Sequence, residues 1–358
     1  MKKKLVGMLA TATLLTMALA GNVQAAEIRS VGPDGEAAVD ASTIELTDDQ
    51  IAQIKEGGYT AAICLHYGGN DWSTSQQKGL EDTFGELGIE IVAVTDANFS
   101  AETQVSNIET VMAKKPDILV SIPTDATATA DAYKQAAEAG IKNVFMDQRA
   151  DGLEAGKDYV SVVSADNYGN GYASGTVLGD ALGGKGKVAM VYYDANFAPT
   201  NQRDEGFRDA MKNYPDIEIV TEQGFTDESG CAEQGDAILT QFPNIDGIYA
   251  SWDVPMEGVL SAVRAAGMEG KVTLACNDLG NNVAREIASG NIAGGGAQMP
   301  YDQGVAEAKL AALALLGEET PSYVAVPAET VTHENVLEAY TDVYHVETPD
   351  WLKEAYVE

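Results

Sequence analysis

The chain has 358 residues, with 22 Lys and Arg against 55 Asp and Glu and a formal net charge of −33. A field of that sign repels nucleic acid and anionic membrane surfaces, and it disfavours anionic ligands unless a local cationic pocket overrides it. The acids are scattered and form no long tail, so most read as a solvated surface.

The chain opens with Lys2, Lys3 and Lys4, an apolar stretch from Leu5 to Ala20 and small residues up to Ala25. This is the pattern of an export signal (1–25) cleaved after Ala25. The apolar stretch is short for a membrane span. Cys64 is the first cysteine, so none stands at the cleavage site to carry a lipid anchor. The expectation is a soluble periplasmic protein, with three lysines and no acids removed and a net charge of −36. The 333 residues that remain of 358 exceed the about 250–300 at which single cores stop growing, so two lobes are expected.

Residues 26–57 form an N-terminal extension. In it "LTDDQIAQIKEGG" predicts a short helix, with Thr47 as N-cap, acids in the first turn and Gly57-Gly58 as the stop. Apolar runs follow at Thr60–Leu65, Ile89–Val94, Asp117–Ile122 and Asn143–Met146, separated by amphipathic stretches such as Glu102–Lys114 and Ala128–Ala139. After "SADNYGNG" the rhythm restarts. Runs at Val188–Tyr193, Ile217–Thr221, Gly247–Ser251 and Val272–Ala275 alternate with helical segments at Asn201–Lys212, Cys231–Gln241, Val254–Ala266 and Asn281–Ala288. Two successive βα series predict two doubly wound, Rossmann-like parallel-sheet lobes. Asp166 and Asp253 read as N-caps of the helices that follow them. Cys64, Cys231 and Cys276 are widely spaced without a CxxC, and they read as buried free thiols.

Ligands of open parallel sheets bind beyond the carboxyl ends of the strands. Here those ends read "HYGGNDW", "SIPTDAT", "MDQRADG", "YYDANFAPTNQRDEG", "SWDVP" and "CNDLGNN", crowded with Asp, Asn and Gln. "GGNDWS" has neither GxGxxG spacing nor a Gly-Lys-Ser/Thr ending, and Asp71 puts a negative charge where a phosphate needs donors. With only His66, His333 and His345 and no clustered Cys/His, no metal centre is expected; "DANFAPTNQRDE" has Pro199 where a calcium loop needs Gly. No GxSxG elbow is present, while paired carboxylates leave a glycosidase open. The groups suit a neutral polyhydroxylated molecule, since each hydroxyl donates to a carboxylate and accepts from an Arg or amide N–H. Trp72 and Trp252 offer flat walls for its C–H faces. In the first corner, Asn70 or Asp71 would be the hydrogen-bond partner beside Trp72. His66 is open between a satisfied core histidine and something else.

"SIPTDATATADAYKQAAEAGIKNVFMDQRA", "SADNYGNG", "NQRDEGFRDAM", "FPNIDGIYASWD" and "AGGGAQMPYDQGVAEA" resemble the exported substrate-binding proteins of ABC sugar importers, of the ribose-binding-like type I. "NDWS" and the helix before the first strand resemble the subset that binds sugar alcohols. The resemblance implies a three-strand hinge near Ala165, Gln298 and Pro327, dividing the chain into lobe 1 (58–165 and 299–327) and lobe 2 (166–298 and 328–358). It also implies ligand roles for Asn70, Trp72, Asp147, Arg203, Asp278 and Gln298. Gln148 stands where the family has an Arg, with Arg149 one place later. Two family Asn positions are Ile122 and Trp252, so a ligand shaped differently from ribose, or more linear, is indicated. The expected partners are a sugar or polyol and a membrane ABC permease, with no nucleic acid, no cofactor and a monomeric chain. The alternatives are a binding protein that reports to a chemoreceptor or sensor kinase, or a sugar-acting exported enzyme. A sugar-responsive regulator of the same architecture would carry a DNA-binding motif in front, where this chain has an export signal.

Overall fold

The computed structural model describes residues 28–357; the predicted signal and its cleavage site lie outside them. Chain order begins with β1 (Val39–Asp40), α1 (Asp48–Gly57), β2 (Thr60–Leu65), α2 (Asp71–Leu87), β3 (Glu90–Asp96) and α3 (Ala101–Ala113). It continues with β4 (Ile118–Ser121), α4 (Ala130–Glu138), β5 (Lys142–Met146) and β6 (Val162–Ala165). The second series is α5 (Asn167–Ala181), β7 (Lys185–Tyr193), α6 (Ala198–Met211), β8 (Asp216–Phe225), α7 (Cys231–Gln241) and β9 (Gly247–Ala250). It ends with α8 (Asp253–Ala265), β10 (Thr273–Cys276), α9 (Asn281–Ala288) and β11 (Gly294–Ala297). Then come α10 (Pro300–Leu315), β12 (Tyr323–Val326), β13 (Glu329–Thr332), α11 (Val336–Tyr344) and α12 (Asp350–Ala355).

These strands build two sheets. The first has the order β1-β12-β6-β5-β4-β2-β3 and is parallel throughout. The second has the order β13-β11-β10-β9-β7-β8, parallel except for β13 against β11. The chain therefore passes between lobes three times: from β6 into α5, from β11 into α10, and from β12 into β13.

Strand β2 shows how the sequence makes such a layer. Ala61, Ile63 and Leu65 pack with Leu80, Phe84 and Leu310 on one face, and Ala62 and Cys64 pack with Ile108, Val111 and Tyr133 on the other. With helices on both faces, every second residue and its neighbour must be apolar, which is why the strand reads as a continuous run. Cys64, Cys231 and Cys276 are buried and unpaired. Thr47 caps α1 in a reciprocal box with Gln50. Asp166 caps α5 by accepting from the Gly169 N–H at 2.9 Å. Asp253 departs from its predicted capping role, because it is the first residue of α8 itself. Its carboxylate accepts instead from the N–H groups of Val254 (2.8 Å) and Gly280 (3.0 Å).

The N-terminal extension first laps over a crossing between lobes and then joins the first sheet through β1. Arg29 N–H, Ser30 N–H and Ser30 Oγ all donate to the Asp166 carboxylate, at 3.0, 2.8 and 2.9 Å. Helices α5 and α6 meet where Gly171 and Gly206 leave no side chain between them. A Cβ on Gly171 would fall 1.8 Å from the Arg203 carbonyl oxygen, and one on Gly206 would fall 2.1 Å from that of Tyr168. Backbone cannot yield as a flexible side chain can. Gly171→Ala is therefore expected to cost about 1–3 kcal/mol as an overpacked contact. A chemical denaturation midpoint equal to that of the unsubstituted protein would show that the two helices do not need this approach.

Candidate functional site

Both sheets share one topology. In the first, β2 sits between β3 and β4; in the second, β7 sits between β8 and β9. These are the points where strand order reverses and a crevice opens at the carboxyl ends. The two crevices face each other around one shared cavity. After β2 come His66, Tyr67, Asn70 and Trp72; Tyr193 ends β7 and Phe197 and Arg203 follow it, and all of these line it.

The polar floor is built from equivalent positions of the two lobes. Asp147 follows β5 and Asp278 follows β10, and both hold a left-handed backbone, with φ of 52° and 68°. Each donates its N–H to the next strand, Asp147 to Val163 O (2.8 Å) and Asp278 to Gly296 O (2.9 Å). That conformation is uncommon for a residue with a side chain, and Asp tolerates it better than most. Here it turns both carboxylates into the cleft.

Arg203 reaches them from α6. Its Nε donates to Asn167 Oδ1 (2.8 Å), and one terminal nitrogen donates to Asp278 Oδ2 (3.2 Å) and more distantly to Ser251 O (3.4 Å). Arg203 is 5% exposed. Burial works against its charge, but Asp278 and Asp147 hold its pKa above the ordinary arginine value. Gln298 donates to Asp278 Oδ1 at 2.7 Å, leaving its own Oε1 buried and unpartnered. Asp147 Oδ1 accepts from Ser164 Oγ (3.0 Å), Ala165 N–H (3.3 Å) and Gln303 Nε2 (3.2 Å). Burial pushes the Asp147 carboxyl up, and Arg203 pulls it part of the way back. Asp253 joins the lining; burial, reinforced by Asp278, raises it well above the carboxylate range.

The walls are rings. Trp72 stands on the first lobe, with its indole N–H buried and unpartnered. Trp252 stands on the second lobe. It is both wall and core, packing on Phe225 and Tyr193 with ring centres 5.1 and 5.6 Å apart while its N–H donates to Glu228 at 2.9 Å. Asn70 lines the cavity while its side chain caps α2, accepting from the Ser73 N–H at 2.7 Å. Ile122 is also in the lining.

Of the nine positions expected to contact a ligand, the structure brings seven to one cavity: Asn70, Trp72, Asp147, Arg203, Trp252, Asp278 and Gln298. Two are corrected. The Asp71 carboxylate points to the other lobe, accepting from the N–H and Nδ2 of Asn281 at 2.7 and 2.8 Å. Gln148 turns away from the cavity, its Nε2 donating to Pro123 O (2.8 Å) and its Oε1 accepting from Ala198 N–H (3.1 Å). Each ties the first lobe to the second, which polar side chains at facing strand ends can do as well as bind a ligand. Missed by the sequence are His66, Tyr67, Phe99, Tyr193 and Phe197, rings that share the cavity from separated strand ends and loops. Among the described residues no His, Cys, Asp and Glu cluster fits a metal ion, and no helix is long and apolar enough to cross a membrane.

A two-lobed crevice lined by carboxylates, one arginine and aromatic walls is the architecture of a binding protein. The chain belongs to the periplasmic binding protein domain family, whose sequence profile matches residues 61–319. Among its relatives is the D-ribose/D-allose-binding protein of Pseudomonas aeruginosa, 29% identical over 73% of this chain and 83% of the relative. A solute-binding protein from Actinobacillus succinogenes, solved with D-allose bound, superposes with a TM-score of 0.72 at 29% identity, covering 78% of this chain and 99% of that one. An Agrobacterium vitis solute-binding protein solved with α-D-tagatopyranose gives a TM-score of 0.74 at 25% identity, covering 82% and 100%.

Replacement of Asp71 by Ala removes both bonds to Asn281 and is expected to favour separation of the lobes by about 1–2 kcal/mol. Small-angle scattering of the variant should show a larger radius of gyration than the parent; an unchanged radius would deny Asp71 a role in holding the lobes together.

Proposed function

We propose that the protein is the extracytoplasmic solute-binding component of an ABC importer. It captures a neutral sugar or sugar alcohol between its lobes and delivers it unchanged to a membrane permease. The observation that carries this reading is the meeting of Asp147 and Asp278, one from each lobe, around the buried Arg203 within ring-lined walls. Carboxylates accept hydroxyl protons, and the guanidinium and Gln298 flank the same floor, so a hydroxyl can donate and accept at once. Bonds to charged partners are the stronger kind. The relatives bind allose and tagatose, which fits this chemistry. A single arginine beside two floor carboxylates leaves no surplus positive charge for an anionic substrate.

A ligand that touches both lobes favours their closed arrangement, by no more than its differential affinity for closed over open. A micromolar affinity corresponds to about −8 kcal/mol, within reach of several charge-assisted bonds and stacked rings. Ile122 and Trp252 replace amides with apolar surface on the wall, which favours a ligand with an extended C–H face over ribose. The permease partner and the periplasmic setting follow from the same reading.

A thermal-shift screen across pentoses, hexoses and alditols tests it, because a ligand bound by the native state alone raises the melting temperature. At least one compound should stabilise the protein and be recovered chemically intact. For that compound, Arg203→Ala or Asp278→Ala should weaken binding by about 1.5–3 kcal/mol, since each leaves buried partners unpaired. Undiminished affinity in both variants would remove the floor from the site, and conversion of the sugar would make the protein an enzyme.

A further inference from the structure

His66 is the residue immediately after β2, at the reversal point of the first lobe. Its backbone is fixed by the Phe99 N–H, which donates to the His66 carbonyl at 2.8 Å. The ring lines the cavity, yet it is only 4% exposed, and its Nδ1 is buried with no hydrogen-bond partner. Rings box it in: Tyr67, Trp72 and Phe99 stand edge-on at 4.8, 5.7 and 5.1 Å between centres. Phe197, from the second lobe, stacks on it at 5.8 Å with planes 17° apart. The box is thus completed only when the lobes meet.

A ring needed only as filling has no use for nitrogen. Phenylalanine would fill the same apolar box without leaving a polar atom unpaired, and native proteins leave few such atoms unexplained. Burial pushes the imidazole pKa down to about 3, so the ring is neutral at any physiological pH. A neutral imidazole carries one donor and one acceptor, the pair that a hydroxyl answers. Trp72, beside it, adds a second buried polar atom without a partner, an indole N–H that can only donate.

We propose that the His66 imidazole hydrogen-bonds a hydroxyl of the bound ligand and so helps set which hydroxyl pattern the cavity accepts. This rests on the sugar or polyol reading above, and it places a polar reading point on the ring-lined side of the cavity, among different residues from the Asp147–Arg203–Asp278 floor. Asp147 and Asp278 would hold part of the ligand; His66 would test another.

The test compares the unsubstituted protein with His66→Phe and His66→Asn by calorimetric titration. The titrants are the best sugar or alditol from the screen and its series of single-deoxy analogues. The unsubstituted protein should lose about tenfold in affinity for one analogue relative to the parent compound. His66→Phe should bind the parent about tenfold more weakly, no longer distinguish it from that analogue, and melt no lower without ligand. His66→Asn, which keeps a donor and an acceptor, should restore part of the discrimination. If His66→Phe still prefers the parent over every analogue that the unsubstituted protein rejects, His66 is filling and the proposal is wrong. If the unsubstituted protein binds no member of the series, the sugar reading itself fails, and His66 loses its ligand with it.

Discussion

One guanidinium organises the centre of this molecule. Arg203 is buried where carboxylates from both lobes converge, and its hydrogen bonds go to Asn167, Asp278 and the Ser251 carbonyl. A buried ion pair contributes little net stability, but removing one partner leaves a charge stranded at a cost of about 3–5 kcal/mol. The surroundings are therefore constrained to keep Arg203 in place. Gly171 and Gly206 let α5 and α6 approach until Arg203's own carbonyl lies against α5. Asn167, in the first turn of α5, then holds the side chain at the correct depth.

The two lobes treat their carboxylates alike. Asp147 and Asp278 occupy matching positions after β5 and β10, in the same left-handed conformation and with the same N–H bond to the next strand. Asp147 rests on Gln303, and one turn further along α10 lies Glu307, fully buried with a single donor from Gln76 at 2.6 Å. Burial, together with Asp147, raises the Glu307 carboxyl well above its ordinary range, which disfavours a second negative charge beside the site. Charge on the cavity floor thus gathers at Arg203, Asp147 and Asp278, while burial disfavours charge on the neighbouring acids. Such a floor suits the exchange of hydrogen bonds with hydroxyls, and the rings above it offer apolar surface to C–H groups.

Much of this was legible in the sequence because the signals were local. The predicted helices at Cys231–Gln241 and Asn281–Ala288 span the same residues in the structure, and Thr47 and Asp166 cap as their positions demand. Gly294–Ala297 carries no strand pattern, yet it is β11, because Asn170 and the Cys276 carbonyl crowd Gly295 and Gly296 too closely for side chains. At the site, residue type alone could not separate cavity-lining residues from lobe-to-lobe ties. Asp71 and Gln148 are polar, sit at strand ends beside true lining residues, and point elsewhere because the opposite lobe offers Asn281 and Ala198 at bonding distance. The ring box around His66 was hidden for a different reason: Phe99 and Phe197 come from loops of different lobes, and no periodicity in the chain announces their meeting.

On the proposed function, a single uncharged, hydroxyl-rich molecule is gripped by both lobes at once. A crystal structure of the protein grown with its tightest-binding sugar or polyol tests this most directly. Density is expected for one intact ligand between the lobes, with hydroxyl oxygens within hydrogen-bonding distance of Asp147 on one side and of Arg203 or Asp278 on the other. A ligand seated on one lobe alone, or lying outside the crevice with Arg203 and Asp278 untouched, would contradict it.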